Sequence, residues 1–309
     1  FSMNPVIDEY VFAKVWEPGL GYRQWADRWA GSRGAKVSDA IARAWRILAD
    51  SVYVKCTRVG EACQTNSRPF VDKPTGGYTN SSYRYSQNAL VEALRLMLSD
   101  ERAWSNAALS RDAVNIGRQL LGNHFASVRD SFVSAYRRMD IPEARRYAAD
   151  MENVISGIDT LMSTNPNTTL AKWVSSARAF GKTSRQSDSL EVNARTLLTV
   201  WGLPGRKLND YANRQWAGLL SDFYLQRWKM FTDAVISAME EGREYDEAAF
   251  VESVKAWEGE WPEKSMLSGR RHAAMPGQSA VSPESTVRLV RSIMAKYFPE
   301  ILNKTPEIE

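Results

Sequence analysis

Two cysteines and two histidines are all that 309 residues hold of the side chains that most often ligate zinc. His124 and His272 stand far from each other in sequence and from Cys56 and Cys63, so the clustered ligands of a zinc site are missing and no metal is expected. Cys56 and Cys63 bound the short loop CTRVGEAC, whose spacing fits a small disulfide as well as two free thiols. No apolar run approaches the roughly 18 residues of a membrane span. A Gly-x-Ser-x-Gly elbow, a Walker loop and a dinucleotide fingerprint are all lacking, and no cofactor is expected. Neither sign of charge prevails: the net charge is +4, with acidic and basic residues interspersed, so no nucleic-acid footprint is present. Half-buried strands are not foreseen either, because no segment alternates polar and apolar residues for long.

What remains is helical periodicity nearly everywhere. Ser38 is placed to cap a helix carrying Ile41, Ala44, Trp45, Leu48 and Val52 on one face. Leu90, Leu94, Met97 and Leu98 mark another, and a long pattern runs through Val114, Leu121, Val128, Phe132 and Tyr136 to a stop near Asp140. Pro142 suits the first turn of a helix carrying Ala144, Tyr147, Met151, Ile155 and Ile158. Further helices are expected over 170–182, 187–200, 211–240, 247–257 and 284–298, the last announced by Ser282-Pro283. The fold class is therefore all-α. The first clear break is Gly31-Ser32-Arg33-Gly34, which divides residues 1–31, read as the remnant of a preceding domain and its linker, from an all-α domain over 32–309. No signal-peptide pattern is seen at the start, and Phe1-Ser2-Met3 does not look like a natural beginning, so a piece of a longer chain is expected.

Two long loops, 57–80 and 263–281, are rich in Gly, Pro, Ser and basic residues. Sequons at Asn80, Asn167 and Asn303 permit glycosylation and a secretory route without showing either. The adjacent acids Asp8-Glu9, Glu240-Glu241 and Asp246-Glu247 read as solvated or helix-start charges, because neighbours on a helix point in different directions. A glycosidase needs two carboxylates about 5–10 Å apart, and none of these pairs offers that. His124, on an apolar helical face, reads as a satisfied core histidine.

The densest information lies in WGLPGRKLNDYANRQWAGLLSDFYLQRWKMF, residues 201–231. A Trp-Gly turn leads to Leu208-Asn209-Asp210-Tyr211, where Asn209 or Asp210 can cap the next helix. Trp201 and Tyr211 then sit at one end of a helical layer. Such a corner suits the apolar face and hydroxyl edge of a sugar, and equally a plain helix–helix junction. Arg227, between Tyr224 and Trp228, can hold a carboxylate, stack on a ring or form a structural ion pair.

This segment resembles the signature of glycoside hydrolase family 89, the α-N-acetylglucosaminidases. The resemblance rests on Trp201-Gly202, Leu208-Asn209-Asp210-Tyr211-Ala212-Asn213, Trp216-Ala217-Gly218-Leu219, Phe223-Tyr224 and Arg227-Trp228. It extends in order through Ser2, Asn4 and Val6, then Ala44-Trp45-Arg46-Ile47-Leu48, Ser51-Val52-Tyr53, Gly60-Glu61-Ala62-Cys63 with Asn66 and Arg68, and Lys296-Tyr297-Phe298-Pro299. Two departures stand out: the turn before Tyr211 carries Arg206-Lys207, and Phe223 occupies a position that is often Tyr.

The resemblance implies an all-α C-terminal domain packed on an upstream (β/α)8 barrel that supplies both catalytic glutamates of a retaining hydrolysis. The nucleophile's Glu-Gly would immediately precede the stretch that begins at Phe1. No catalytic residue is therefore expected in this chain, and alone it should be inactive. It further implies that Trp201, Tyr211 and Leu208 line a pocket for terminal α-linked N-acetylglucosamine, of heparan sulfate or a similar glycan, with Asp210 and Arg227 supporting the corner. The sequons and the paired cysteines point towards a lysosomal or secreted location, although the family also has bacterial members, and a homo-oligomer is left open. The rival reading is a stand-alone helical interaction or carbohydrate-binding module without catalysis.

Overall fold

The computed structural model describes residues 6–53, 64–72, 85–201, 212–264 and 281–302. The described residues are helical, without a strand; one isolated parallel bridge joins Thr169 and Ala217. None of their helices is long and apolar enough to cross a membrane. The helices are α1 (Val11–Trp16), α2 (Tyr22–Ala30), α3 (Asp39–Ile47), α4 (Gln87–Met97), α5 (Ala107–Arg137), α6 (Ile141–Met162), α7 (Leu170–Arg178), α8 (Ser184–Leu198), α9 (Leu225–Glu240), α10 (Glu247–Glu260) and α11 (Pro283–Tyr297).

Short polar side chains set most of the helix starts, as their residue types lead one to expect. Asp140 accepts the N–H of Glu143 at 3.1 Å, with Pro142 in the first turn of α6. Ser282 accepts from Ser285 at 3.2 Å ahead of Pro283, and Asp246 accepts from Ala249 at 2.9 Å. Ser38 is extended at the start of α3, but its side chain makes no capping bond. At the end of α5, Met139 takes the left-handed conformation at φ 56°, and the N–H of Asp140 returns to the carbonyl of Ala135 at 3.0 Å. That 6→1 bond closes the helix as a glycine would.

The chain divides into two compact units. The first comprises 1–61, 82–121 and 281–309. Within it α3 packs on α2 and α4, and the turn Pro299–Leu302 packs on α4. Ile41, Ala44, Trp45, Leu48, Leu94, Met97, Val287 and Met294 form buried core. Gly34, at φ 103°, breaks the chain between α2 and α3, and an added Cβ there would meet Ala103 Cβ at 3.2 Å. Leu20, Trp25, Ala26 and Ala49 make a further small core, with Tyr10, Ala13, Tyr22 and Trp29 packed against it. The Arg33 guanidinium lies 3.7 Å from the Trp29 ring centroid and 3.2 Å from the Asp112 carboxylate. Burial pushes the Asp112 carboxyl up to about 7, with Arg33 opposing.

The second unit comprises 62–81 and 122–280. Here α6 packs on α9, α7 on α8, and α10 on α9. Phe125, Phe132, Trp228 and Phe231 meet in its centre, with Phe125 and Trp228 edge-to-face at 4.9 Å. His124 is partly buried and desolvation lowers its pKa, in keeping with an imidazole on an apolar helical face. The adjacent acids are surface or helix-start groups as expected: Glu240 pairs with Arg145, Glu241 with Arg243, and Asp246 caps α10.

One helix differs from its sequence pattern. The apolar spacing predicts a helix over 211–240, yet residues 213–216 are not helical and the regular helix begins only after Gly218. The cause is tertiary. Ala217 donates to Thr168 at 2.9 Å and accepts from Leu170 at 2.8 Å, which draws the segment out alongside the start of α7. Gly218 then turns the chain at φ 83°, where an added Cβ would come within 3.3 Å of Leu170 Cβ. The new helix is capped by α6: Asp159 accepts the N–H groups of Gly218 at 2.8 Å and Ser221 at 3.1 Å. A π-turn over Leu220–Tyr224 leads into α9.

Candidate functional site

Of the residues assigned to the aromatic corner, Trp201 and Arg227 are described; Leu208, Asp210 and Tyr211 lie outside the described residues. So do Cys56, Cys63, Asn80 and Asn303. Asn167 is exposed in the short turn Pro166–Thr168.

Trp201 follows the end of α8. Its backbone is left-handed at φ 61°, and its N–H donates to the carbonyl of Thr196 at 2.7 Å. The buried Thr199 hydroxyl holds the same helix end by donating to Arg195 O at 2.9 Å. A bulky residue at positive φ costs on the order of 1–3 kcal/mol and persists only where its surroundings impose it; such residues cluster at ligand sites. The Trp201 side chain is half-buried, leaving part of it to solvent. Nearby on α8, the Ala194 carbonyl accepts the indole N–H of Trp173 at 2.9 Å, and Trp173 meets Trp216 at 5.9 Å.

Arg227 projects from α9 into a fully buried polar network. Its Nη1 donates to Glu258 Oε1 at 2.8 Å and its Nη2 to the carbonyl of Asn66 at 2.7 Å. Its guanidinium also lies 5.1 Å from the Phe223 ring and 5.2 Å from the Tyr224 ring. Glu258, from α10, accepts a second guanidinium from Arg68. Burial pushes the Glu258 carboxyl up, but Arg227 and Arg68 together outweigh it and hold the group below the usual carboxylate range.

Around this triad the run Gln64-Thr65-Asn66-Ser67-Arg68 is buried despite being polar throughout. Buried polar groups of this kind need partners. Gln215 Nε2 donates to Thr65 Oγ1 at 2.8 Å, Trp228 Nε1 to Thr65 O at 3.0 Å, and Asn66 Nδ2 to Asn213 Oδ1 at 2.9 Å. The Ser67 hydroxyl closes the turn on Gln64 O at 2.7 Å. Asn213 is itself left-handed, at φ 45°. The residues directly after Tyr211 in sequence are therefore clamped by the 64–68 turn at Asn213 and Gln215, and by α6 at Gly218.

Two buried carboxylates of this unit are engaged as acceptors of guanidinium groups. Glu258 holds Arg227 and Arg68, and Glu191 holds Arg195 at 3.0 Å and Arg178 at 2.7 Å. Paired in this way, they serve structure rather than proton transfer to a substrate. Among the three roles open to Arg227, the structure selects the buried ion pair with ring contacts. Sequence reasoning missed Glu258 as its partner. In Trp257-Glu258-Gly259-Glu260 nothing local distinguishes the buried acid from the solvated one.

Residues 25–293 match the family described as alpha-N-acetylglucosaminidase (NAGLU) C-terminal domain. The chain is 29% identical over 304 residues to the alpha-N-acetylglucosaminidase of Homo sapiens, covering 96% of this chain and 39% of that protein. Its fold is similar to that of the Clostridium perfringens protein CpGH89 in complex with its substrate GlcNAc-alpha-1,4-galactose. That likeness has a TM-score of 0.75 at 22% identity, over 92% of this chain and 33% of that one. A family 89 glycoside hydrolase from the same organism, in complex with 2-acetamido-1,2-dideoxynojirmycin, is similar at a TM-score of 0.75 and 23% identity, over 88% of this chain and 32% of that one.

Proposed function

The chain belongs to the alpha-N-acetylglucosaminidase C-terminal domain family, and from that premise we propose that it walls one side of the sugar pocket in an enzyme that removes terminal α-linked N-acetylglucosamine. The family match over residues 25–293 carries this reading and favours it over a stand-alone interaction or carbohydrate-binding module. Trp201 offers the face of its ring to the sugar, Tyr211 its hydroxyl to the reacting end, and Leu208 an apolar flank. Asp210 and Arg227 hold the corner. For Arg227 the support is its buried network, which ties α9 and α10 to the 64–68 turn and to the residues after Tyr211.

A (β/α)8 barrel preceding Phe1 supplies the acid/base and nucleophilic glutamates of a retaining mechanism, and residues 1–31 join that barrel to the helical domain. The substrate is a glycan ending in α-linked N-acetylglucosamine, as heparan sulfate can. A lysosomal or secreted setting accords with a Cys56–Cys63 disulfide and with glycosylation at Asn80, Asn167 and Asn303. Of the three sequons, Asn167 has the support of an exposed turn.

Release of the aryl group from an aryl α-N-acetylglucosaminide tests the reading. The full-length protein is expected to turn the compound over, and the 309-residue chain alone is not. Trp201→Ala in the full-length protein should lower kcat/KM roughly 10- to 100-fold, the loss of a stacked aromatic face. Turnover by the chain alone at enzyme-like rates would overturn the supporting role, and an unchanged kcat/KM would remove Trp201 from the pocket.

A further inference from the structure

The segment that leaves the expected helix has two faces. Between the left-handed residues Asn213 and Gly218 the chain is drawn out, and the side chains of a drawn-out chain alternate in direction. Asn213 and Gln215 turn inward to Asn66 and Thr65 of the 64–68 turn. Arg214 and Trp216 alternate with them and are only half-buried. The parallel bridge between Ala217 and Thr169 brings Trp216 beside the first turn of α7, where Trp173 stands.

The two indoles meet at 5.9 Å and are tilted by 58°, so they form an angled corner rather than a stack. Trp173 is 38% exposed although Ala194 O takes its N–H, so the surface it shows is chiefly hydrocarbon. The same bond orients the ring before any ligand arrives. The Arg214 guanidinium lies 5.9 Å from the Trp216 ring centroid. Among the three residues on either side of each tryptophan the only charges are Arg214 and Lys172, both basic. The Asp159 carboxylate, which reaches this segment, is taken up by the N–H groups of Gly218 and Ser221.

We propose that Trp173, Trp216 and Arg214 form a second sugar site, which takes a uronic acid on the leaving side of the scissile bond. The proposal rests on the reading that Trp201 lines the pocket of the terminal N-acetylglucosamine, and adds which sugar follows it and what holds that sugar. Helix α8 links the two places. Its Ala194 carbonyl holds Trp173, and its Thr196 carbonyl holds the backbone of Trp201. Those anchors are two residues apart, about 3 Å along the helix axis. Indole faces suit the apolar face of a sugar ring, and a guanidinium matches a carboxylate in geometry and charge. A neutral sugar would use the rings alone; the guanidinium beside them selects an anionic one.

Three substrates of the full-length protein test this. One is the disaccharide in which α-linked N-acetylglucosamine is followed by glucuronic acid. The second has glucose in place of the glucuronic acid, and the third is α-N-acetylglucosaminyl fluoride, which has no second ring. Trp173→Ala and Trp216→Ala should each lower kcat/KM for the uronic disaccharide about tenfold relative to the fluoride. Arg214→Gln, which leaves both rings in place, should remove most of the parent's preference for the uronic over the glucose disaccharide. Losses equal on the disaccharide and the fluoride would make the tryptophans structural and overturn the proposal. Variants that change neither ratio overturn it too, because another part of the protein then covers the platform. A parent that does not discriminate between the two disaccharides also overturns it. Hydrolysis of the fluoride with any of these results defeats this proposal only, whereas a parent that hydrolyses none of the three defeats it together with the functional reading.

Discussion

Glu258→Ala is expected to destabilise the chain by roughly 3–5 kcal/mol, the usual consequence of removing one partner from a buried ion pair. The substitution would leave two guanidinium groups, Arg227 and Arg68, without their shared carboxylate in a region where Arg227 and Glu258 side chains are 0% and 1% exposed. Arg227 would keep its bond to Asn66 O but lose the carboxylate that Glu258 supplies. Glu258→Gln should cost less, since the amide oxygen still accepts one hydrogen bond. Urea unfolding of the two variants and the parent checks this; a loss below about 1 kcal/mol for the alanine variant would mean that water reaches the guanidiniums.

The effect depends on pH in a definite sense. The folded-state carboxyl of Glu258 titrates below its ordinary value of 4.5. Its contribution is therefore complete above that value and is lost as the pH falls through the lower folded-state one. The stability gap between parent and variant should accordingly be constant near neutrality and close in acid.

Trp228→Ala should be comparably damaging, at roughly 3–5 kcal/mol, by the cavity it leaves. Trp228 is 1% exposed, packs edge-to-face on Phe125 and Phe231, and donates its indole N–H to Thr65 O at 3.0 Å. Trp228→Phe separates these contributions. Keeping a ring but losing the donor should cost about 1–2 kcal/mol, most of it from the orphaned Thr65 carbonyl. Thermal unfolding followed by circular dichroism measures both. A phenylalanine variant as unstable as the alanine one would put the weight on the hydrogen bond rather than on packing.

Much of the fold is legible in the sequence because its signals are local. Ile41, Ala44, Trp45 and Leu48 are buried as spaced, with Val52 only partly so, and Asp140, Asp246 and Ser282 cap α6, α10 and α11 through their own side chains. The 211–240 pattern misleads because its apolar spacing continues through a segment whose backbone is bonded to Thr168 and Leu170, more than forty residues away. Trp201 stands out in the sequence through the motif that carries the family resemblance. Its left-handed backbone is not, since a bulky residue gives no local sign of positive φ.

By itself the sequence determined the helical class, several helix starts and the family, because periodicity, capping chemistry and ordered motifs are properties of neighbouring residues. Only the tertiary structure decided which groups Arg227 meets, that Glu258 is buried while Glu260 is exposed, that a run of five polar residues at 64–68 belongs to the interior, and that α1 turns its apolar face outward. Those facts depend on which distant groups meet. A buried charge or polar side chain is tolerable only where its partner stands in space, and that partner leaves no mark beside it in the chain.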